Sequence, residues 1–155
     1  MKRTFIWISL FSIAMGFLES AVVVYLRAIY YPRGFDFPLT NMNSLIAFTE
    51  LGREAATIIM LAGIGIITGK NPTQRFAWFL YCFAIWDIFY YIFLKVLLNW
   101  PDSLFTWDIL FLIPFPWVGP VICPCIISIS MIALALLLIY FNEKNHLLKV
   151  NSREW

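Results

Sequence analysis

The sequence has few charged residues, and this scarcity identifies its class. Only 13% of its 155 residues are charged and 62% are hydrophobic, whereas soluble domains are about 25% charged. Several apolar runs reach the roughly 20 residues that a helix needs to cross a bilayer. We therefore expect an all-α integral membrane protein, a single domain over residues 1–155, with membrane lipid as its main partner. A formal net charge of +2 does not favour nucleic-acid binding.

Histidine is almost absent, which excludes several metal and cofactor sites. The sole histidine, His146, lies in the polar C-terminal tail, so neither a haem held by two histidines nor a histidine-rich zinc or copper site is expected. Buried carboxylates would instead suit a hard divalent cation such as Mg²⁺, Ca²⁺ or Mn²⁺. The sequence does not identify any other cofactor.

Cysteine is scarce too, and all three cysteines fall in apolar runs, which is typical of reduced core residues. Cys123-Pro124-Cys125 resembles the Cys-Pro-Cys of a membrane helix in heavy-metal pumping ATPases, a resemblance that implies a soft-metal site. It covers three residues, and Cys82 falls toward the opposite end of its own span. We predict no metal-ligating residues on this basis.

What the sequence does contain is four apolar spans with short connections. They are predicted over residues 5–30, 44–68, 75–99 and 118–141, and they should form a four-helix bundle. Between the last two spans, prolines at 101, 114 and 116 leave a segment too short to cross a membrane. We expect this segment, residues 103–117, to contain a short interfacial or re-entrant helix that is capped by Asp102 or Ser103 and runs to about Ile113.

The basic residues outside the spans indicate the orientation. All but one cluster at the two termini and in the turn between spans two and three, while Arg33 lies in the loop after span one. Because cytoplasmic loops carry an excess of lysine and arginine, both termini are predicted to be cytoplasmic.

Three carboxylates inside the spans are the strongest functional signal. Glu19, Glu54 and Asp87 each lie far from the ends of a different span. A carboxylate at the centre of a membrane helix costs about 2.5–3.5 kcal/mol on insertion scales, so such residues are usually functional or paired. We take these three as candidate catalytic acids that meet at one depth, and Glu54 as the most consequential of them.

Further polar and aromatic residues are predicted to surround these acids as substrate-binding groups. They are Glu50, Arg53, Arg27, Asp108, Trp86, Tyr90, Tyr91 and Lys95. Five carboxylates against three fixed cations leave a deficit of two positive charges in this set, to be met by protons, a metal dication or a cationic ligand. The aromatic members would suit an apolar ligand, or a cationic one through cation–π contact.

Three classes of function are compatible with this pattern. The first is a protein that binds or converts a hydrophobic or lipid-like molecule by acid–base chemistry, and the second is a small proton- or cation-coupled transporter. The third is a structural subunit of a homo-oligomer or a larger membrane complex, in which the charges only form ion pairs: Glu50 with Arg53, Asp87 with Lys95, and Glu19 with Arg27. No nucleophile motif or phosphate loop makes the chain recognisable as an enzyme.

Overall fold

Four helices make up most of the part of the chain that the computed structural model describes, which is residues 2–35, 43–113 and 116–144. They are α1 (Lys2–Tyr30), α2 (Ser44–Thr68), α3 (Pro72–Leu98) and α4 (Ile122–Glu143). Each is long and apolar enough to cross a membrane by length and composition. The predicted four-helix bundle is therefore confirmed. Most of the predicted outer loop and of the polar tail lies outside the described residues.

Local signals explain where the helices begin and end. The side chain of Asn43 accepts a hydrogen bond from the amide of Leu45 at 2.8 Å, and that of Asn71 accepts one from Gln74 at 2.9 Å. Both satisfy amides that have no partner in the first turn of a helix. Helix α3 ends where Asn99 adopts a left-handed conformation with φ 52°, which asparagine tolerates better than most residues.

Helix α3 is the centre of the bundle, because it packs against each of the other three helices. Glycine permits the closest of these approaches. A Cβ atom on Gly16 of α1 would lie 2.9 Å from the carbonyl oxygen of Trp86, and one on Gly65 of α2 would lie 2.6 Å from that of Arg75. Two helices can approach this closely only where one presents no side chain.

The segment before α4 is a β-hairpin, and here the prediction of a short helix within 103–117 is wrong. Strand β1 (Trp107–Phe111) pairs antiparallel with β2 (Trp117–Pro120), and Asp108 lies opposite Gly119. The prolines limit any helix to a few turns with unpaired ends, whereas two paired strands satisfy each other's backbone groups. Helix α4 consequently begins at Ile122 and not at residue 118.

This hairpin, called the inserted hairpin below, enters and leaves the bundle at the same end. At its base the amides of Val121 and Ile122 donate to the carbonyls of Thr106 and Leu104 at 3.0 and 2.8 Å. Toward its tip, the ring of Phe111 stacks on Phe83 with centroids 6.0 Å apart. Because Phe83 lies near the middle of α3, the hairpin reaches into the bundle from this end.

The close packing of α2 on α3 yields a prediction with a control in the same helix. We expect Gly65→Ala to lower the free energy of unfolding by roughly 1–3 kcal/mol, because the added methyl group collides with the backbone of α3. Gly63→Ala, where a Cβ atom would meet nothing within 4 Å, should be neutral or slightly stabilising. Thermal unfolding of both purified variants measures the difference, and equal stabilities would contradict the packing described here.

Candidate functional site

A cavity of about 250 Å³ lies between α1, α2, α3 and the inserted hairpin. It collects ten of the eleven side chains that the sequence marks as site residues, and only Lys95 is not part of its wall. The ten are Glu19, Arg27, Glu50, Arg53, Glu54, Trp86, Asp87, Tyr90, Tyr91 and Asp108. The structure thus brings the candidate acids together with the predicted binding residues, while their roles stay a prediction.

Arg53 joins α1 to α2 across this cavity. Its guanidinium donates to Glu50 at 2.7 Å on its own helix and to Glu19 on α1. Thr57, one turn further along α2, also donates to Glu19 at 3.2 Å. These side-chain contacts link two helices that are not a closely packed pair, since the main helix contacts all involve α3.

Arg27 fixes the wall of the cavity at the base of the inserted hairpin. Its guanidinium lies 3.6 Å from the carboxylate of Asp108 on β1, and the Tyr91 hydroxyl donates to the same carboxylate at 3.3 Å. The guanidinium also lies over the rings of Phe35 and Trp100, 4.5 and 3.7 Å from their centroids. Ion pairing and cation–π contact together compensate the burial of this charge.

Glu54 holds the tip of the inserted hairpin. Both of its carboxylate oxygens accept from the backbone amide of Leu112, at 2.9 and 3.0 Å. Leu112 follows the last residue of β1, so the strand pairing does not provide its amide with a partner. Leu112 is half-buried, and Glu54 supplies the hydrogen-bond partner that its amide needs.

Asp87 has a buried hydrogen-bond partner on α4. Its carboxylate accepts from the Ser128 hydroxyl of α4 at 2.8 Å, and both residues are buried. Trp86, Tyr90 and Tyr91 form the aromatic wall next to it. Among the described residues, the indole nitrogen of Trp86 is the one buried side-chain polar atom without a hydrogen-bond partner.

Of the three ion pairs predicted for a purely structural network, the structure contains one. Glu50 pairs with Arg53 as expected, but Glu19 pairs with Arg53 and not with Arg27. Lys95 is exposed, and its ammonium group donates to the carbonyls of Asn99 and Pro101 at 3.2 and 3.0 Å, beyond the end of α3. It therefore contributes to the helix terminus and not to the cavity.

Metal binding has no suitable set of ligands in the described ranges. Within residues 2–35, 43–113 and 116–144, no three side chains of histidine, cysteine, aspartate or glutamate are close enough to hold an ion. Cys123 is exposed and Cys125 is partly buried, so the Cys-Pro-Cys motif does not come together with a third thiol. The carboxylates are distributed around the cavity and do not converge on one point.

The sequence gives no signal for several residues that complete the cavity. Val23, Leu26 and Ala47 are ordinary apolar positions of α1 and α2, and only their helix face relates them to the acids. The hairpin residues are less predictable still, because a short apolar run does not reveal whether it is a strand or a helix. The hairpin contributes Ile109, Leu110, Phe111, Leu112 and Pro116 to the wall.

The titration of Asp108 gives a prediction about pH. Burial raises the pKa of this carboxyl from its usual 3.8 to about 6, although Arg27, the Ile109 amide and Tyr91 act in the opposite direction. The folded protein then holds this proton more tightly than the unfolded chain does. The contribution of Asp108 to stability is therefore largest below about pH 4 and is lost as the pH rises to about 6.

Asp108→Asn should remove this part of the pH dependence of the melting temperature, whereas Asp102→Asn, at an exposed position, should leave it intact. Melting curves recorded from pH 4 to pH 7 measure the difference in slope. Parallel curves for wild type and Asp108→Asn would show that Asp108 does not titrate in this range.

The contact of Glu54 with Leu112 predicts different effects for two substitutions. Glu54→Gln keeps an oxygen that can accept from the amide, so its stability should stay close to that of wild type. Glu54→Leu leaves the amide unpaired and should lower the free energy of unfolding by about 1–3 kcal/mol. Thermal unfolding of the two variants checks this, and an equally large loss in both would instead show that Glu54 is needed as a charge.

Similarity to known proteins does not assign this site. No protein-family model matches the sequence, and no curated protein and no solved structure shows significant similarity to it. The candidate site is thus defined by the geometry of the described residues.

Proposed function

We propose that this protein spans a membrane with its four helices and binds a hydrophobic or lipid-like molecule in the cavity, on which its buried carboxylates act by acid–base chemistry. One observation carries the proposal: ionisable and aromatic side chains from three helices and the inserted hairpin surround one partly open cavity of about 250 Å³. Pockets with apolar walls and a few convergent polar groups are typical ligand sites.

The volume argues for a ligand and against a network that only holds helices together. Protein interiors are close-packed, and an engineered apolar cavity of about 150 Å³ already accommodates benzene. Ion pairs that serve only stability would be expected in a filled interior. The larger cavity here suits a head group together with the first part of an acyl or isoprenoid chain.

The hydrogen bonds divide the candidate acids into two groups. Glu19 accepts from Arg53 and Thr57, so we assign it the positioning of Arg53. Glu54 and Asp87 form no salt bridge with any described residue. These two carboxylates are the groups that we expect to exchange protons with a bound molecule.

The orientation in the membrane follows from the lysine and arginine distribution. At one end of the bundle lie Lys70 and Arg75, next to the contact in which Asn71 donates to Asn142 at 3.0 Å. The base of the inserted hairpin lies at the opposite end. With the basic end in the cytoplasm, both termini are cytoplasmic and the hairpin enters from the outer side.

Blocking the mouth of the cavity should remove a bound molecule. Ala47 is exposed and also lines the cavity, so Ala47→Trp should exclude the ligand, whereas Ala56→Trp on the same helix should not. Ala56 is likewise exposed but is not part of the wall. Organic extraction of each purified protein, followed by mass spectrometry, measures the hydrophobic molecules that copurify.

We expect wild type and Ala56→Trp to retain one molecular species that Ala47→Trp loses, with similar melting temperatures for both variants. In Asp87→Asn, which can still accept from Ser128, the same site should retain an unconverted form of that species. Equal retention by Ala47→Trp and Ala56→Trp would exclude the cavity as the binding site. An identical bound species in wild type and Asp87→Asn would argue against acid–base conversion by Asp87.

A further inference from the structure

The N-terminal part of α2, residues 44–60, contributes nothing to the apolar core. None of its apolar side chains is buried, and its three buried residues are Glu50, Glu54 and Thr57. The two apolar clusters of the described chain include no residue of α2 before Leu61. Residues 44–60 are therefore held in place by polar contacts and not by apolar packing.

The neighbouring part of α1 is packed differently. Ser20 donates to the carbonyl of Tyr90 on α3 at 3.0 Å, and Val23 packs against the apolar cluster that contains Leu94. Helix α2 instead makes its close approach to α3 at Gly65, beyond residues 44–60. A helix that is anchored at one end can move its other end without disrupting the core.

Side-chain hydrogen bonds tie residues 44–60 to their neighbours. Arg53 and Thr57 both donate to Glu19 of α1, the second at 3.2 Å. Glu54 accepts from the amide of Leu112 in the inserted hairpin at 2.9 Å. Helices in lipid associate through packing and polar contacts and not through the hydrophobic effect. Where the packing is slight, as here, loss of the polar contacts is enough to release the helix.

Residues 44–60 also form the wall between the cavity and the surroundings of the bundle. One face of this part of α2 lines the cavity with Ala47, Glu50, Arg53 and Glu54. The rest of its surface exposes large apolar side chains, as expected where a helix faces lipid. They are Leu45, Phe48, Leu51, Ile59 and Met60. In the proposed membrane arrangement, a single helix thus separates the cavity from the bilayer.

The size of the cavity limits how a lipid could occupy it. Its volume is about 250 Å³, and a cavity of about 150 Å³ already accommodates benzene. The space therefore suits a head group and the start of a chain, but it cannot enclose the whole hydrocarbon part of a membrane lipid. Such a ligand must leave its chains in the bilayer, so its head group has to enter from the side.

We propose that residues 44–60 of α2 form a lateral gate, which moves away from α1 and the inserted hairpin and admits the head group of a bilayer lipid to the cavity. This inference rests on the proposed function and names the source of its ligand. The bonds that Arg53 and Thr57 donate to Glu19, called the latch below, hold the gate closed against α1. When the latch breaks, the lipid enters beside α2 while its chains stay in the membrane.

Two neutral maleimides test the route of entry. N-Dodecylmaleimide is confined to the bilayer by its chain, whereas N-(2-hydroxyethyl)maleimide is soluble in water. Val23→Cys places their target thiol in the cavity wall on α1. Cys123→Ala and Cys125→Ala remove the more accessible native thiols, while Cys82 is fully buried and is kept. Labelling rates of the full chain in phosphatidylcholine nanodiscs are measured by mass spectrometry. The ratio of the dodecyl to the hydroxyethyl rate cancels changes in the reactivity of the thiol itself.

Three further variants relate this ratio to the latch. Glu19→Gln weakens its charged bond and Thr57→Val removes its neutral one. Ser9→Ala is the matched control, because it removes a 2.9 Å hydrogen bond between α1 and Tyr81 of α3, and neither residue lines the cavity. We expect Glu19→Gln to raise the ratio about threefold or more, Thr57→Val to raise it less, and Ser9→Ala to leave it within about twofold of the parent protein.

Melting temperatures show which variants are folded. Thr57→Val keeps the ion pair of Arg53 with Glu19, so it provides the test if Glu19→Gln does not fold. An unchanged ratio in the folded latch variants, or an equal rise in Ser9→Ala, would overturn the gate. Labelling by the water-soluble reagent alone would also overturn it, because the entrance would then be aqueous. Labelling by neither reagent would do the same.

The labelling experiment is independent of the test of the proposed function, because it needs no bound ligand. Each contrary labelling result leaves the proposed function to be decided by the molecules that copurify with the Ala47→Trp and Ala56→Trp variants. Conversely, equal retention of those molecules by both variants would contradict the proposed function without changing the labelling ratio.

Discussion

The pairing of Arg53 with Glu19 and Glu50 determines the shape of the site. Withdrawing a guanidinium from water is unfavourable unless carboxylates compensate its charge. Arg53 is partly buried, and one of its two carboxylate partners comes from the same helix and the other from α1. The pair therefore holds α1 and α2 at the distance set by three side chains. Closer packing of these helices would fill the space between them, and a greater separation would break the pair. This contact bridges the two helices beside the cavity.

The inserted hairpin also needs partners for its polar groups, in this case for its backbone amides. Two strands pair with each other, but the amide that follows β1 has no partner in the sheet, and Glu54 accepts from it. In the apolar interior of a membrane, irregular backbone is tolerated only where protein groups or enclosed water satisfy it. The side chain that the sequence marks most strongly as a functional acid thus also has a structural contact. Both roles are compatible, because one carboxylate has more acceptor positions than one amide uses.

This bundle buries more charged side chains than the contacts between its helices require. Close contacts at Gly16 and Gly65 already join α1 and α2 to α3, and two apolar clusters, which include Trp78 and Leu94, pack between the helices. Polar contacts between helices in membrane proteins usually use serine, threonine or amide side chains, as Ser20 does when it donates to the carbonyl of Tyr90 at 3.0 Å. Five carboxylates around one cavity exceed this need, and this excess is the argument for a ligand.

The sequence by itself determined the four helices and the set of charged residues that lie inside apolar spans. These features are local, because hydropathy depends on residues within a few turns of each other. Only the tertiary structure decided that residues 107–120 form a hairpin, since two short apolar runs become strands by pairing with each other. It also decided the ion pairs between different elements, in which Arg53 binds Glu19 and Arg27 binds Asp108, and it placed Lys95 outside the cavity. Charge pairing depends on which helix faces meet in space, and the spacing of residues along one chain does not contain that information.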